Sequence, residues 1–206
     1  MKLFFDIETL PVSGDKIAII KDFYEEMKKK RNQKQTREEG VDFDTFMRNT
    51  SFQGEFGRIF CIGYTTDDKG VECLQGDEKE ILEKYWHIAK DCSLFIGHNI
   101  MEFDFRFIYK RSIILGVKPT LNLSFARYRS DPIFDTIKEW EKWGAQGVSL
   151  HKLSIALGIK SPKSEGIDGS QVYDYYLAGK GNQIIEYCKR DVEAVRKVYK
   201  KMNFLD

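Results

Sequence analysis

Apolar positions gather into short runs in the first two thirds of the chain and into helical stripes in the last third. Lys2-Leu3-Phe4-Phe5-Asp6-Ile7 reads as a buried strand, closed by Pro11 and Gly14. Arg58-Ile59-Phe60-Cys61-Ile62-Gly63-Tyr64 predicts a second strand, which turns at Asp67-Asp68-Lys69-Gly70 and returns as Val71–Leu74, a hairpin. Leu94-Phe95-Ile96-Gly97 is too short and too apolar to be anything but a buried strand, and Ile133-Phe134 makes one more. Between the strands the period lengthens. Asp77, with Glu80 three positions on, caps a helix whose stripe is Ile81, Leu82, Tyr85, Ile88 and Ala89. A helix from about 100 to 115 stops at Gly116, with Asn99 as its cap and Glu102 completing a capping box. The remainder predicts helices over about 149–157, 170–178 and 181–202, the first two separated by the loop Gly158–Gly169. Strands interleaved with helices give an α/β class with a mixed sheet of about five strands flanked by helices.

One segment interrupts this pattern. Residues 15–52 are charge-rich and helical in composition, and Lys28–Arg37 holds six basic residues and no acidic one. Its apolar residues (Ile17, Ile19, Ile20, Phe23, Met27) are too few for a separate core, so it reads as a helical insertion after the first strand of a single domain spanning 1–206. The basic run is read as a solvated face in preference to a phosphate track. The loop Lys160-Ser161-Pro162-Lys163-Ser164 is a similar case, better placed because it precedes the last helix.

Composition narrows the classes further. A chain of 206 residues buries about 70% of its unfolded surface, enough for a core without staples. The charge balance is +1, which neither predicts nor forbids a nucleic-acid partner. Four cysteines without a CxxC pair argue against a zinc site and a disulfide framework. The longest stretch free of charged residues, Cys92–Met101, is far short of a membrane span, and Met1 runs into Leu3-Phe4-Phe5 without a tripartite leader. The expectation is a soluble, cytoplasmic protein. Walker A, HExxH and G-x-S-x-G are absent.

Three features carry chemistry. Asp6 and Glu8, two apart on a strand, share one face; two like charges there are costly unless a cation neutralises them, and oxygen donors suit Mg²⁺ or Mn²⁺. Asp104 follows the strand-to-helix junction at His98-Asn99 and sits among Phe103, Phe105 and Phe107, where a carboxylate needs a partner. Tyr187 and Asp191 lie i and i+4 on the last helix, at the edge of the stripe Ile184, Cys188, Val192, Val195, Val198 and Met202. Other candidates read as background. His87 and His151 are solvated, His98 fills a strand end, and Trp140 and Trp143 join Ile137 in a core. Asp135 follows a strand and can reach the site.

In order and setting, Asp6-Ile7-Glu8, Asn99 through Phe103-Asp104, and Tyr187-x-x-x-Asp191 resemble the DEDD superfamily of 3′–5′ exonucleases on the ribonuclease H-like fold. The tyrosine marks the subgroup that includes the proofreading domains of family-B DNA polymerases; the histidine subgroup would have His where this chain has Glu186. The chain looks most like stand-alone bacterial 3′–5′ exonucleases of the family-B-polymerase type, over residues 1–10 and about 55–202. The resemblance implies that Asp6, Glu8, Asp104 and Asp191 hold two divalent ions, Mg²⁺ or Mn²⁺, and that Tyr187 orients the attacking water. It further implies that Thr9, Leu10, Asn99 and Phe103 meet the terminal nucleotides of single-stranded nucleic acid with a 3′ end, DNA in preference to RNA. An exoribonuclease and a binding module with a vestigial site are the alternatives. The chain is too short for a polymerase.

Overall fold

The computed structural model describes residues 1–33, 40–67 and 69–205. Five strands form one sheet: β1 (Lys2–Leu10), β2 (Arg58–Thr66), β3 (Glu72–Gln75), β4 (Leu94–Gly97) and β5 (Ile133–Asp135), in the order β3-β2-β1-β4-β5. The β1–β2 and β2–β3 pairs are antiparallel, and the β1–β4 and β4–β5 pairs are parallel. This is the mixed sheet that the sequence predicts. β1 is central and runs on to Leu10, where Pro11, which has no amide hydrogen to give a ladder, follows it.

Alternation along β1 assigns the two faces of the sheet. Leu3, Phe5 and Ile7 pack under α3 (Glu78–Ala89) and α4 (Asp104–Leu115) with Ile81, Tyr85, Phe105 and Ile108. Phe4 points the other way, into Val192, Val195 and Tyr199 of α8 (Gly181–Met202). Asp6 and Glu8 share the parity of Phe4 and therefore look toward α8. Gly63 of β2 lets that helix approach: a Cβ there would stand 2.9 Å from Cys188 Sγ and 3.0 Å from Val192 Cγ2.

Between β1 and β2 lie α1 (Lys16–Gln33), α2 (Phe43–Arg48) and a 3₁₀ turn at Asn49–Phe52. Tyr24 of α1 packs on Phe43 and Phe46, while Ile17, Ile19 and Phe23 stay exposed. Lys28 reaches Glu25 at 3.9 Å and lies over the Tyr24 ring on its own helix. Lys34 and Arg37, the rest of the basic run's far end, lie outside the described residues. The late helices are α5 (Thr136–Trp140), α6 (Leu150–Ala156) and α7 (Val172–Leu177), followed by α8. No helix among the described residues is long and apolar enough to cross a membrane.

Two local expectations are corrected. Helix α4 begins at Asp104, not near residue 100; Asn99 has φ +65°, outside the extended region that an N-cap adopts. Asn99 instead opens a turn, its carbonyl accepting from Glu102 and Phe103, and Glu102 pairs with Arg106 and Lys138 rather than closing a capping box. The paired Trp140–Trp143 core is only half right: α5 ends at Trp140, which is 43% exposed, whereas Trp143, beyond the helix and beside Tyr128, packs half-buried against the main core.

Candidate active site

The pairing of β1 with β4 ends at Phe4–Ile96, and past that point the sheet opens. The Ile7 amide donates to Asp104 Oδ1 at 3.1 Å, so the first residue of α4 is tied into the opening. On the opposite side a bulge places Glu8 across from Cys61 and Thr9 across from Ile59, a local twist where the strand leaves the sheet. Tyr187 and Asp191, one turn apart on α8, close the cleft from above the sheet. Asp6, Glu8, Asp104, Tyr187 and Asp191 thus line one cleft of about 210 Å³, together with Thr9, His98, Asn99 and Phe103.

Burial and mutual repulsion dominate its electrostatics. Desolvation, then the charges of the neighbouring carboxylates, raises Asp6 and Glu8 well above the usual carboxylate range. Burial raises Asp104 to about 7 against the hydrogen bond from Ile7, and raises Asp191 to about 7 against its hydrogen bond with Tyr187. The Tyr187 phenol is pushed up by burial and by Asp191, Glu8 and Asp6, so it stays protonated at neutral pH. His98 is the neutral member. Its Nε2 faces the Val148 carbonyl at 3.0 Å, which only accepts, so Nε2 carries the proton and Nδ1 accepts from Thr136 Oγ1 at 2.8 Å. Burial holds the ring's pKa down to about 4.

The donor set suits a divalent cation. Asp191 Oδ1 is buried without a hydrogen-bond partner, a costly condition unless something positive meets it. Asp6, Glu8 and Cys188 offer donor atoms within 4.8 Å of one another, the tightest group at the cleft; Asp104 and Asp191 face the same space from outside that group. Hard carboxylate oxygens of this kind match Mg²⁺ or Mn²⁺.

Of the residues expected to meet nucleotides, Thr9, Asn99 and Phe103 line the cleft. Leu10 does not. It is fully buried with Ile184 and Tyr187, where it supports the phenol from below. Asp135 acts through the backbone: its carboxylate accepts from the amides of Asn99 (3.1 Å), Met101 (3.0 Å) and Ile137 (3.0 Å), fixing the left-handed turn that presents Asn99. His151, expected in solvent, is half-buried and bonded to Ser161 at 2.6 Å.

The sequence reading missed the turn that returns from the insertion. Ser51 and Phe52 line the cleft as well. Thr9 Oγ1 donates to the Ser51 carbonyl at 2.7 Å, and the Val12 amide donates to Thr50 Oγ1 at 2.9 Å, stapling that turn to the end of β1. Phe52 is 67% exposed and stands 6.3 Å from the Phe103 ring. A second cleft of about 230 Å³ continues from there and shares Thr9, Ser51, Phe52 and Gly169 with the first; Arg48 and Tyr173 line its far part. The available signal was a lone Thr-Ser-Phe after a charged stretch, too short to carry a period.

Comparison with known proteins agrees with this architecture. No curated protein matches the chain. The family B DNA polymerase of the hyperthermophilic archaeon Pyrobaculum calidifontis shares its fold, with a TM-score of 0.67 and 16% identity over 98% of this chain. The match covers 24% of the polymerase, so this chain spans about a quarter of that protein. The RNase_H superfamily model matches residues 43–203, from α2 through the end of α8 and across most of the sheet. The chain belongs to the RNase_H superfamily.

Proposed function

We propose that the protein is a metal-dependent 3′–5′ exonuclease of the tyrosine subgroup that removes nucleotides from single-stranded DNA. The observation that carries this reading is the convergence of Asp6, Glu8, Asp104 and Asp191 on one cleft, with Asp191 Oδ1 buried and unpartnered. Four carboxylates facing an anionic strand repel it unless cations lie between, so a pure binding module has no use for them. Asp6, Glu8, Asp104 and Asp191 would hold two divalent ions. When bound, such ions polarise the scissile phosphate and make water a stronger nucleophile.

The chain's own residues supply positioning. Tyr187, kept protonated and hydrogen-bonded to Asp191, orients the attacking water through its phenol oxygen rather than taking its proton. Asn99, held in its turn by Asp135, offers a polar contact to the terminal nucleotide. Phe103 and the exposed Phe52 flank the cleft and give apolar faces for the last bases to stack on. The second cleft, with Arg48 lying over the Tyr173 ring, leads the strand away from the carboxylates.

The test is digestion of single-stranded oligonucleotides labelled at the 5′ or the 3′ end, DNA and RNA in parallel, in Mg²⁺, Mn²⁺ or chelator. The 5′-labelled DNA should shorten one nucleotide at a time and the 3′-labelled DNA should lose its label at once, in either metal and not in chelator. Internal cleavage, or faster loss of RNA, would replace this reading with another.

A further inference from the structure

Three of the four cysteines, far apart in sequence, meet behind the acidic cleft. Cys61 lies on β2, Cys73 on β3 and Cys188 on α8, and their three sulfurs all lie within 4.8 Å of one another. Gly63 explains the meeting. Cys73 pairs across the strands with Gly63, Cys61 stands two residues along β2 on the same face, and Cys188 Sγ descends from α8 into the space that a Gly63 Cβ would fill. The Gly63 amide donates to that sulfur at 3.2 Å. All four cysteines are free thiols.

We propose that Cys61, Cys73 and Cys188 form a binding site for one thiophilic d¹⁰ cation, of which Zn²⁺ is the representative. Three thiolates around such an ion at about 2.3 Å stand roughly 3.8 Å apart, inside the spacing that these sulfurs already keep. Soft thiolate donors separate this site from the hard carboxylates beyond it, which favour Mg²⁺ or Mn²⁺. An entry path exists at Cys73, which is half-buried on the edge strand, whereas Cys61 and Cys188 are fully buried. On the α8 side Lys189 and its ion-pair partner Glu186, 2.8 Å apart, both bear electrostatically on Cys73 and in opposite senses. Spacing alone concealed the site, because its ligands come from three separate elements and no two form a CxxC pair.

The site touches the acidic cleft through one atom. Cys188 Sγ donates to the Asp6 carbonyl at 3.4 Å and stands 3.8 Å from Asp6 Oδ2, so the competing arrangement is an ion shared by Asp6, Glu8 and Cys188. Thiolate-specific readouts distinguish the two, and they do not depend on nuclease activity.

The experiment titrates the reduced full chain with Cd²⁺ and follows the ultraviolet thiolate-to-metal charge-transfer band, then competes with Zn²⁺. One ion per chain with the intensity of three thiolates is expected, displaced by Zn²⁺. Cys73→Ser should weaken binding by about a hundredfold or more, beyond the cost of losing an outer-shell partner. Cys92→Ser, at the cysteine outside the cluster, should leave binding unchanged. A band with one thiolate's intensity, no band, or equal affinity in Cys73→Ser overturns the proposal. Should Cys73→Ser fail to fold, alkylation of the wild-type chain decides: Zn²⁺ must protect Cys73 from iodoacetamide, and full labelling of Cys73 in saturating Zn²⁺ contradicts the site.

Discussion

Asp104 shows how the cleft stores unneutralised acid. Its carboxylate is 2% exposed, takes the Ile7 amide, and titrates near 7 because burial outweighs that hydrogen bond. A folded-state pKa above the ordinary 3.8 means that folding favours the protonated acid. Its contribution to stability is therefore complete below the unfolded value and disappears as pH rises to about 7. Asp191 behaves in the same way and over the same window. In chelator, the melting temperature should fall from mildly acidic to mildly alkaline buffer. Asp104→Asn keeps an oxygen for the Ile7 amide but does not titrate, so its melting curve should flatten with pH and exceed the wild type above neutrality. Thermal melts across pH check this, and parallel slopes for the two proteins would contradict it. Asp6 and Glu8 were legible as a pair because the period of a strand puts them on one face. Asp104 was legible as an unpartnered acid but not as the start of a helix. Asn-x-x-Glu reads alike whether a helix or a left-handed turn follows, and the deciding partner, Asp135, lies 36 residues away from Asn99.

Two elements determine what reaches the carboxylates. The 3₁₀ turn at Asn49–Phe52 brings the insertion back to the end of β1 and exposes Phe52 at the mouth of the cleft. Stacking of a base on an aromatic face contributes about 1–3 kcal/mol. Phe52→Ala should therefore weaken oligonucleotide binding by roughly tenfold or more and raise KM, with kcat nearly unchanged, since Phe52 stands at the rim. Equal affinities for the two proteins in a fluorescence-anisotropy titration would remove Phe52 from the substrate path. Helix α8 carries the other side of the cleft, and its distance from the sheet depends on Gly63. Gly63→Ala adds a methyl where Cys188 Sγ and Val192 already crowd the space, an overpacking that should cost about 1–3 kcal/mol. It should also lower kcat, because Tyr187 and Asp191 move with the helix; a variant as stable and as active as the wild type would show that α8 is not seated on that glycine. The strands and α8 were readable from strong periods. The insertion's return turn was not, for its grip on β1 is made by Thr9, Thr50 and a backbone carbonyl, a pattern that carries no hydrophobic signal.

Across the whole molecule the sheet order explains why an acidic site sits in a chain of net charge +1. Central β1 has α3 and α4 on one face and α8 on the other, and it parts from β4 beyond Phe4–Ile96. That opening lies past the carboxyl ends of two parallel strands, where α/β sheets place their ligands. The acids that gather there come from three elements on both faces, so the basic surplus lies elsewhere on the surface. Order and spacing of the three motifs made the fold readable, whereas the placement of Leu10 beneath Tyr187 and the meeting of three cysteines depended on packing between elements distant in sequence. The central claim is that Asp6 and its partners act as one hydrolytic site. Its most direct test compares purified wild type and Asp6→Ala, both shown to be folded by circular dichroism, on 5′-labelled single-stranded DNA in Mn²⁺. Stepwise shortening from the 3′ end by the wild type and none by Asp6→Ala is the predicted result; shortening at the wild-type rate by a folded Asp6→Ala protein would contradict it.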